Sequence, residues 1–131
     1  LSRAVLDGVG GEWRGRFDRN EGLTASEVRA FFAALGLVEE GAQSYMPEGL
    51  ARLLADKGPL LEIGDDSIEN NLVVHVRIIT AVRGDGSPGG TTLTLADSAS
   101  GTIIPAEPLI DFDRRHGARD AVRFGVGLFH F

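Results

Sequence analysis

The stretch LVVHVRIITAVR (residues 72–83), GDGSPGG (84–90) and TTLTLAD (91–97) decides the fold. Residues 72–83 are long, apolar and rich in β-branched side chains, which favours a strand over a helix. Four glycines, an Asp, a Ser and a Pro make up the next seven residues and leave only a turn. Thr and Leu then alternate from Thr91 to Ala96, so the two runs form an antiparallel hairpin with a long tip. The first strand reads as buried on both faces, with His75 and Arg77 inside it.

Upstream of the hairpin the hydrophobic period is helical. Leu1 to Asp7 carries Leu1 and Val5 on one face, and Gly8, Gly10 and Gly11 stop it. Thr24-Ala25-Ser26-Glu27 is a capping box, followed by an apolar stripe of Val28, Phe31, Phe32 and Leu35 and a stop at Gly36. A third helix opens at Pro47, buries Leu50, Leu53 and Leu54, and ends before Gly58-Pro59. Trp13 and Phe17 read as packing residues beside the Gly-rich linker. Leu60 to Ile63 is a short strand and 64–71 a polar loop. Residues 107–116 read as a short helix carrying Leu109 and Phe112, and 122–131 as a last strand with Phe124, Val126 and Leu128 on the face of His130. Helices first and antiparallel strands afterwards predict an α+β chain, with one domain over 1–131, helical in 1–58 and sheet in 59–131.

The composition narrows the function. Thirteen Lys and Arg against nineteen Asp and Glu give a net charge of −6, which disfavours nucleic acid and anionic membranes as partners. No stretch approaches the roughly 20 apolar residues of a spanning helix. The chain has no Cys, so it holds no disulfide, thiolate metal site or cysteine nucleophile of its own. His75, His116 and His130 lack zinc spacing, and Asp65, Asp66 and Glu69 lack the ligand pattern of a calcium loop, so no metal or cofactor is expected. Arg83-Gly84-Asp85 matches an adhesion tripeptide, but a Gly-Asp-Gly hairpin tip explains it better. Ser98 and Ser100 do not sit in a nucleophile elbow.

The polar residues of the hairpin are the candidates for chemistry. If Arg83 pairs with Thr91, His75 faces Ala99 and Asp97 lies diagonally from His75 on the same sheet face, about 7–8 Å away at Cα. Shifting one strand by a residue would put them on opposite faces. A carboxylate on one imidazole nitrogen fixes the tautomer and leaves the other nitrogen able to act as a base. The same residues also suit a structural reading, with a His satisfied by a backbone carbonyl and an Asp opening a turn before Ser98.

The order Gly58-Pro59-Leu60, His75, Gly84-Asp85-Gly86, Gly90-Thr91-Thr92 and Asp97 resembles the second half of bacterial papain-like cysteine peptidases, of the AvrRpt2-type and C39-like group. The helix of residues 22–37, the run Asp111-Phe112-Asp113-Arg114-Arg115 and the final His130-Phe131 are similar to that group as well. The resemblance implies a papain-like fold, with His75 as general base, Asp97 as the residue that orients it, and a peptide or protein as substrate. It also implies a Cys at the head of an upstream central helix, preceded by an oxyanion-hole amide, and neither is in these residues. Val76 and Ser98 depart from the small residue after the His and the Pro after the Asp. The chain starts at Leu1 and its only Met is Met46, so the reading expects the Cys-bearing helix on a preceding segment or a second chain. On that reading these residues alone are inert, and a bacterial effector or toxin, soluble and secreted, is the expected setting. The alternative is a papain-like scaffold without catalysis, acting as a protein-interaction domain.

Overall fold

A computed structural model describes residues 3–21, 23–41, 45–65, 74–98, 100–115 and 127–131. The chain divides into two compact units, residues 1–38 and 39–131.

The first unit holds helices α1 (Arg3–Val9), α2 (Gly11–Asp18) and α3 (Ala25–Ala34). The glycines at 8, 10 and 11 do not form an open linker. Gly10, at φ 122°, turns the chain once and α2 begins at Gly11. Tertiary contacts override the weak helical preference of its GEWRGRFD sequence. The Trp13 ring lies 5.3 Å from Phe31 of α3, and Arg16 forms an ion pair with Glu27. Phe17, by contrast, is half exposed. The capping box forms as expected: the Thr24 side chain accepts from the Glu27 amide, and the Thr24 amide donates to Glu27 Oε2 at 2.8 Å.

The boundary between the units falls inside a two-residue strand, β1 (Val38–Glu39). The second unit continues with α4 (Pro47–Lys57), β2 (Leu60–Asp65), β3 (Val74–Gly84), β4 (Thr91–Asp97), β5 (Ile103–Pro108), α5 (Leu109–Arg115) and β6 (Gly127–His130). Among the described residues these strands make one sheet in the order β1-β6-β2-β3-β4-β5, and β6 through β5 are joined by antiparallel ladders. Pro47 stands in the first turn of α4, and Gly58, at φ 81°, ends it. One sheet face and the two helices enclose a core of Leu50, Leu60, Ile79, Leu93, Leu95, Leu109, Phe112 and Leu128, edged by Tyr45. The α+β expectation holds, with helices α1 to α4 ahead of the ladder β2 to β5 and α5 between β5 and β6.

Two strands were not legible. β1 is only two residues long. β5 carries Pro105 and Pro108, which suit only an edge strand, and it occupies the sheet edge. The helix expected from 107 therefore begins at Leu109. The last strand is described over Gly127–His130, and Phe124, Val126 and His116 lie outside the described residues, as do Asp66, Glu69 and the rest of the polar loop from 66. The tip 84–90 is a turn built for its own geometry. Asp85 Oδ1 accepts from the amide (2.8 Å) and hydroxyl (2.7 Å) of Ser87, and Gly84 (φ 143°) and Gly86 (φ 85°) supply the left-handed backbone. A side chain at Gly90 would collide with the Asp85 carboxylate. The Arg83-Gly84-Asp85 tripeptide is accounted for by this turn.

β3 is not buried on both faces. Ile78 is 39% exposed, and the lack of strict alternation along the strand has another cause. Near the tip Gly84 pairs with Thr91 and Val82 with Leu93, whereas farther along Ile79 pairs with Leu95 and Arg77 with Asp97. Thr80 is an extra residue between the two registers, a β-bulge. Inward-facing positions are therefore even-numbered before the tip (Val82) and odd-numbered beyond the bulge (Ile79, Arg77, His75). β5 has a matching irregularity at the same level, between Leu93 and Leu95 of its partner. Thr80 donates its hydroxyl to the Thr94 carbonyl at 3.2 Å, and Thr94 donates its own to the Pro105 carbonyl at 3.1 Å, so hydroxyls bridge both irregularities.

Candidate active site

The bulge determines which residues meet. Arg83 pairs with Thr92 rather than Thr91, and a regular ladder extended from that pair would put His75 and Asp97 on opposite faces. The residue of Thr80 restores the phase. Arg77 then stands opposite Asp97, and His75, two residues along β3 on the same face, is its diagonal neighbour. His75 Nε2 lies 3.0 Å from Asp97 Oδ2, with the two side chains 19% and 13% exposed.

Asp97 is held at both oxygens. Oδ1 accepts from the Ser100 amide at 2.8 Å and the Ser100 hydroxyl at 3.0 Å, and Oδ2 faces His75. The turn after β4 is closed by the Asp97 amide donating to the Thr102 carbonyl and the Gly101 amide donating to the Asp97 carbonyl. Gly101, at φ 67°, provides the left-handed residue. Ser98 donates its hydroxyl to the Val76 carbonyl at 2.5 Å, tying the end of β4 to β3 beside His75. A Pro at that position would have no hydroxyl to donate.

An ionised carboxylate accepts only, so neutral His75 carries its proton on Nε2 and presents the Nδ1 lone pair. Among the described residues Nδ1 meets no hydrogen-bond partner. Opposite His75 on β2 is Gly64, so no cross-strand side chain flanks the ring on that side. The arrangement can accept a proton at Nδ1 while Asp97 stabilises the resulting imidazolium.

A family model described as papain-like cysteine protease AvrRpt2 matches residues 8–108. The chain belongs to that family. The match covers most of the 131 residues and includes α2, α3, α4, the whole hairpin and β5. No curated protein and no solved structure matches the chain. Membership fixes the papain-like α+β class and a cysteine-peptidase scaffold. Among the described residues no helix is long and apolar enough to cross a membrane, and no cluster of metal-ligating side chains occurs.

Sequence reasoning about the site passed over three side chains. Arg77 stands two residues from His75 in β3, and its Nε lies 3.8 Å from Asp97 Oδ2. Glu62, in a run read only as a short strand, is fully buried opposite Arg77. Ser100 was considered only as a nucleophile. A charged residue two positions from the His, on the face already assigned to it, was the available signal for Arg77.

Proposed function

We propose that this chain supplies the general base and its orienting carboxylate to a papain-like cysteine peptidase centre whose thiol lies on a polypeptide outside these residues. The observation that carries the reading is the 3.0 Å contact between His75 Nε2 and Asp97, with Nδ1 unengaged among the described residues, in a member of a cysteine-protease family. In the cycle His75 Nδ1 takes the thiol proton, and the thiolate attacks the carbonyl carbon of a peptide or related amide bond. The ring returns that proton to the departing amine as the C–N bond breaks. It then takes a proton from water as the water attacks the thioester, and gives it back to sulfur as the acid leaves. Asp97 stays ionised and keeps the ring in the productive tautomer. A Cys from a preceding segment or a second chain satisfies the chemistry equally, and a secreted bacterial effector or toxin is the setting the family resemblance favours.

The absence of Cys from the 131 residues supports a second reading, a papain-like scaffold that binds a partner protein without cleaving it. A cleavage assay separates the two. The chain is expressed with the Cys-bearing polypeptide encoded beside it and offered a broad peptide library. The peptidase reading expects cleavage that alkylation abolishes and that falls about a thousandfold or more in His75→Ala. Full cleavage by the His75 variant overturns the assignment of the base, and no Cys-bearing partner able to support cleavage leaves the binding scaffold.

A further inference from the structure

We propose that Glu62 and Arg77 form a buried counter-charge pair beside Asp97, in which Glu62 cancels the effect that Arg77 alone would have on the proton affinity of His75. The proposal deepens the reading of His75 as a base and rests on it. Glu62 on β2, Arg77 on β3 and Asp97 on β4 stand in register, one directly opposite the next, on the sheet face that carries the core. Cross-strand partners of this kind have Cβ atoms about 4.5–5.5 Å apart. Glu62 is 0% exposed and Arg77 9%, so both charges have left bulk water, and buried charges persist only among compensating charges and hydrogen bonds. The guanidinium is a permanent cation. It approaches the same Asp97 oxygen that His75 engages, 3.8 Å from Arg77 Nε and 3.0 Å from His75 Nε2.

The charges in this row decide the effect. In the proposed pair Glu62 and Arg77 carry −1 and +1, so with an ionised Asp97 the row including His75 holds −1 when the ring is neutral and 0 when it is an imidazolium. A row with Arg77 but without Glu62 would hold 0 and +1, and would resist the second proton. Arg77 therefore fixes the Asp97 carboxylate electrostatically, while Glu62 cancels the repulsion that Arg77 would exert on a protonated ring. An imidazolium is the form that pairs with a thiolate, so the pair favours the reactive ion pair without touching substrate. Both are positioning residues. The other charged groups on packed elements are placed elsewhere. Glu48, Arg52, Asp56 and Lys57 of α4 are exposed. Asp111 of α5 pairs with Arg114 at 3.1 Å, and Asp113 is exposed. Glu107 of β5 stands opposite Leu93 on the tip side of the bulge, and His130 of β6 engages Glu40.

The test is an NMR titration of the His75 ring in the 131-residue chain, in wild type, Glu62→Gln and the double variant Glu62→Gln/Arg77→Met. The single variant is expected to lower the titration midpoint by about one pH unit, a tenfold loss of proton affinity. The double variant is expected to return it to within a few tenths of wild type. A merely structural role predicts the reverse order, with the double variant displaced at least as far as the single one. That order, or an unmoved midpoint in Glu62→Gln, overturns the proposal. If Glu62→Gln does not fold, Arg77→Met is titrated beside the double variant, in which a whole buried pair is replaced by neutral groups. The proposal expects Arg77→Met to titrate about one pH unit higher, because Glu62 is then uncancelled, and equal midpoints overturn it. The titration needs neither thiol nor substrate, so its failure is distinct from cleavage by the His75 variant.

Discussion

Two histidines of the second unit contact a carboxylate through Nε2 at the same distance, and they are equipped for different tasks. His75 reaches Asp97 at 3.0 Å and His130 reaches Glu40 at 3.0 Å. The difference lies at the other nitrogen. His130 Nδ1 is 2.9 Å from the Phe131 carbonyl, so both ring nitrogens face oxygen acceptors. The imidazole is buried, and Glu40, whose amide donates to the Leu128 carbonyl at 2.8 Å, is held against β6 by backbone and side chain together. His130 fastens a sheet edge, whereas His75 keeps one nitrogen open among the described residues. A histidine–carboxylate distance alone does not distinguish the two; the surroundings of the second nitrogen do.

The comparison can be broken by substitution. Asp97→Ala should lower cleavage by the assembled enzyme about a hundredfold or more, but less than His75→Ala, because the ring is misoriented rather than removed. Equal losses in the two variants would mean that Asp97 does more than orient. His130→Ala should act on stability instead, lowering the unfolding free energy by about 1–3 kcal/mol through the unsatisfied acceptors it leaves, and should change cleavage by the remaining folded protein little. Denaturant unfolding read beside kcat checks it, and a loss of kcat without a loss of stability would place His130 in the chemistry.

The smallest effect concerns pH. The Thr24 amide and hydroxyl bonded to Glu27, with Arg16 adding to them, hold the Glu27 carboxyl below its usual range. A lowered folded-state value means that the cap's contribution is complete above the unfolded carboxylate range, near pH 4.3, and is lost as pH falls through the lower folded value. Asp85 behaves alike through the Ser87 hydroxyl and amide. Fluorescence of Trp13, packed on α3, should therefore stay flat from pH 8 to 5 and change only in stronger acid. A transition between pH 5 and 8 would contradict this.

The hairpin, the α3 cap and the start of α4 were legible because each is dictated locally, by β-branched residues, a capping box or a Pro in the first turn. The site residues His75 and Asp97 were legible as a polar pair in apolar strands. Their shared face was reached through a tip pairing, Arg83 with Thr91, that the structure does not contain. The bulge compensates for that error, and nothing in RIITAV marks Thr80 as its position. Helix α2 was hidden because its support comes from Phe31 and Glu27, which lie more than ten residues away in sequence. Arg77 and Glu62 were hidden for the same reason: charges on separate strands acquire meaning only when the ladder aligns them.

The bulge also gives β3 one residue of slack. Because Thr80 has no partner of its own in the ladder, β3 could lose a residue between Ile79 and Gly84 and still align Ile79 with Leu95 and Arg77 with Asp97, through an unbroken ladder. Shortening that side of the hairpin by one residue would be absorbed before it reached His75. The tip and the site are thus two independently phased parts of one strand.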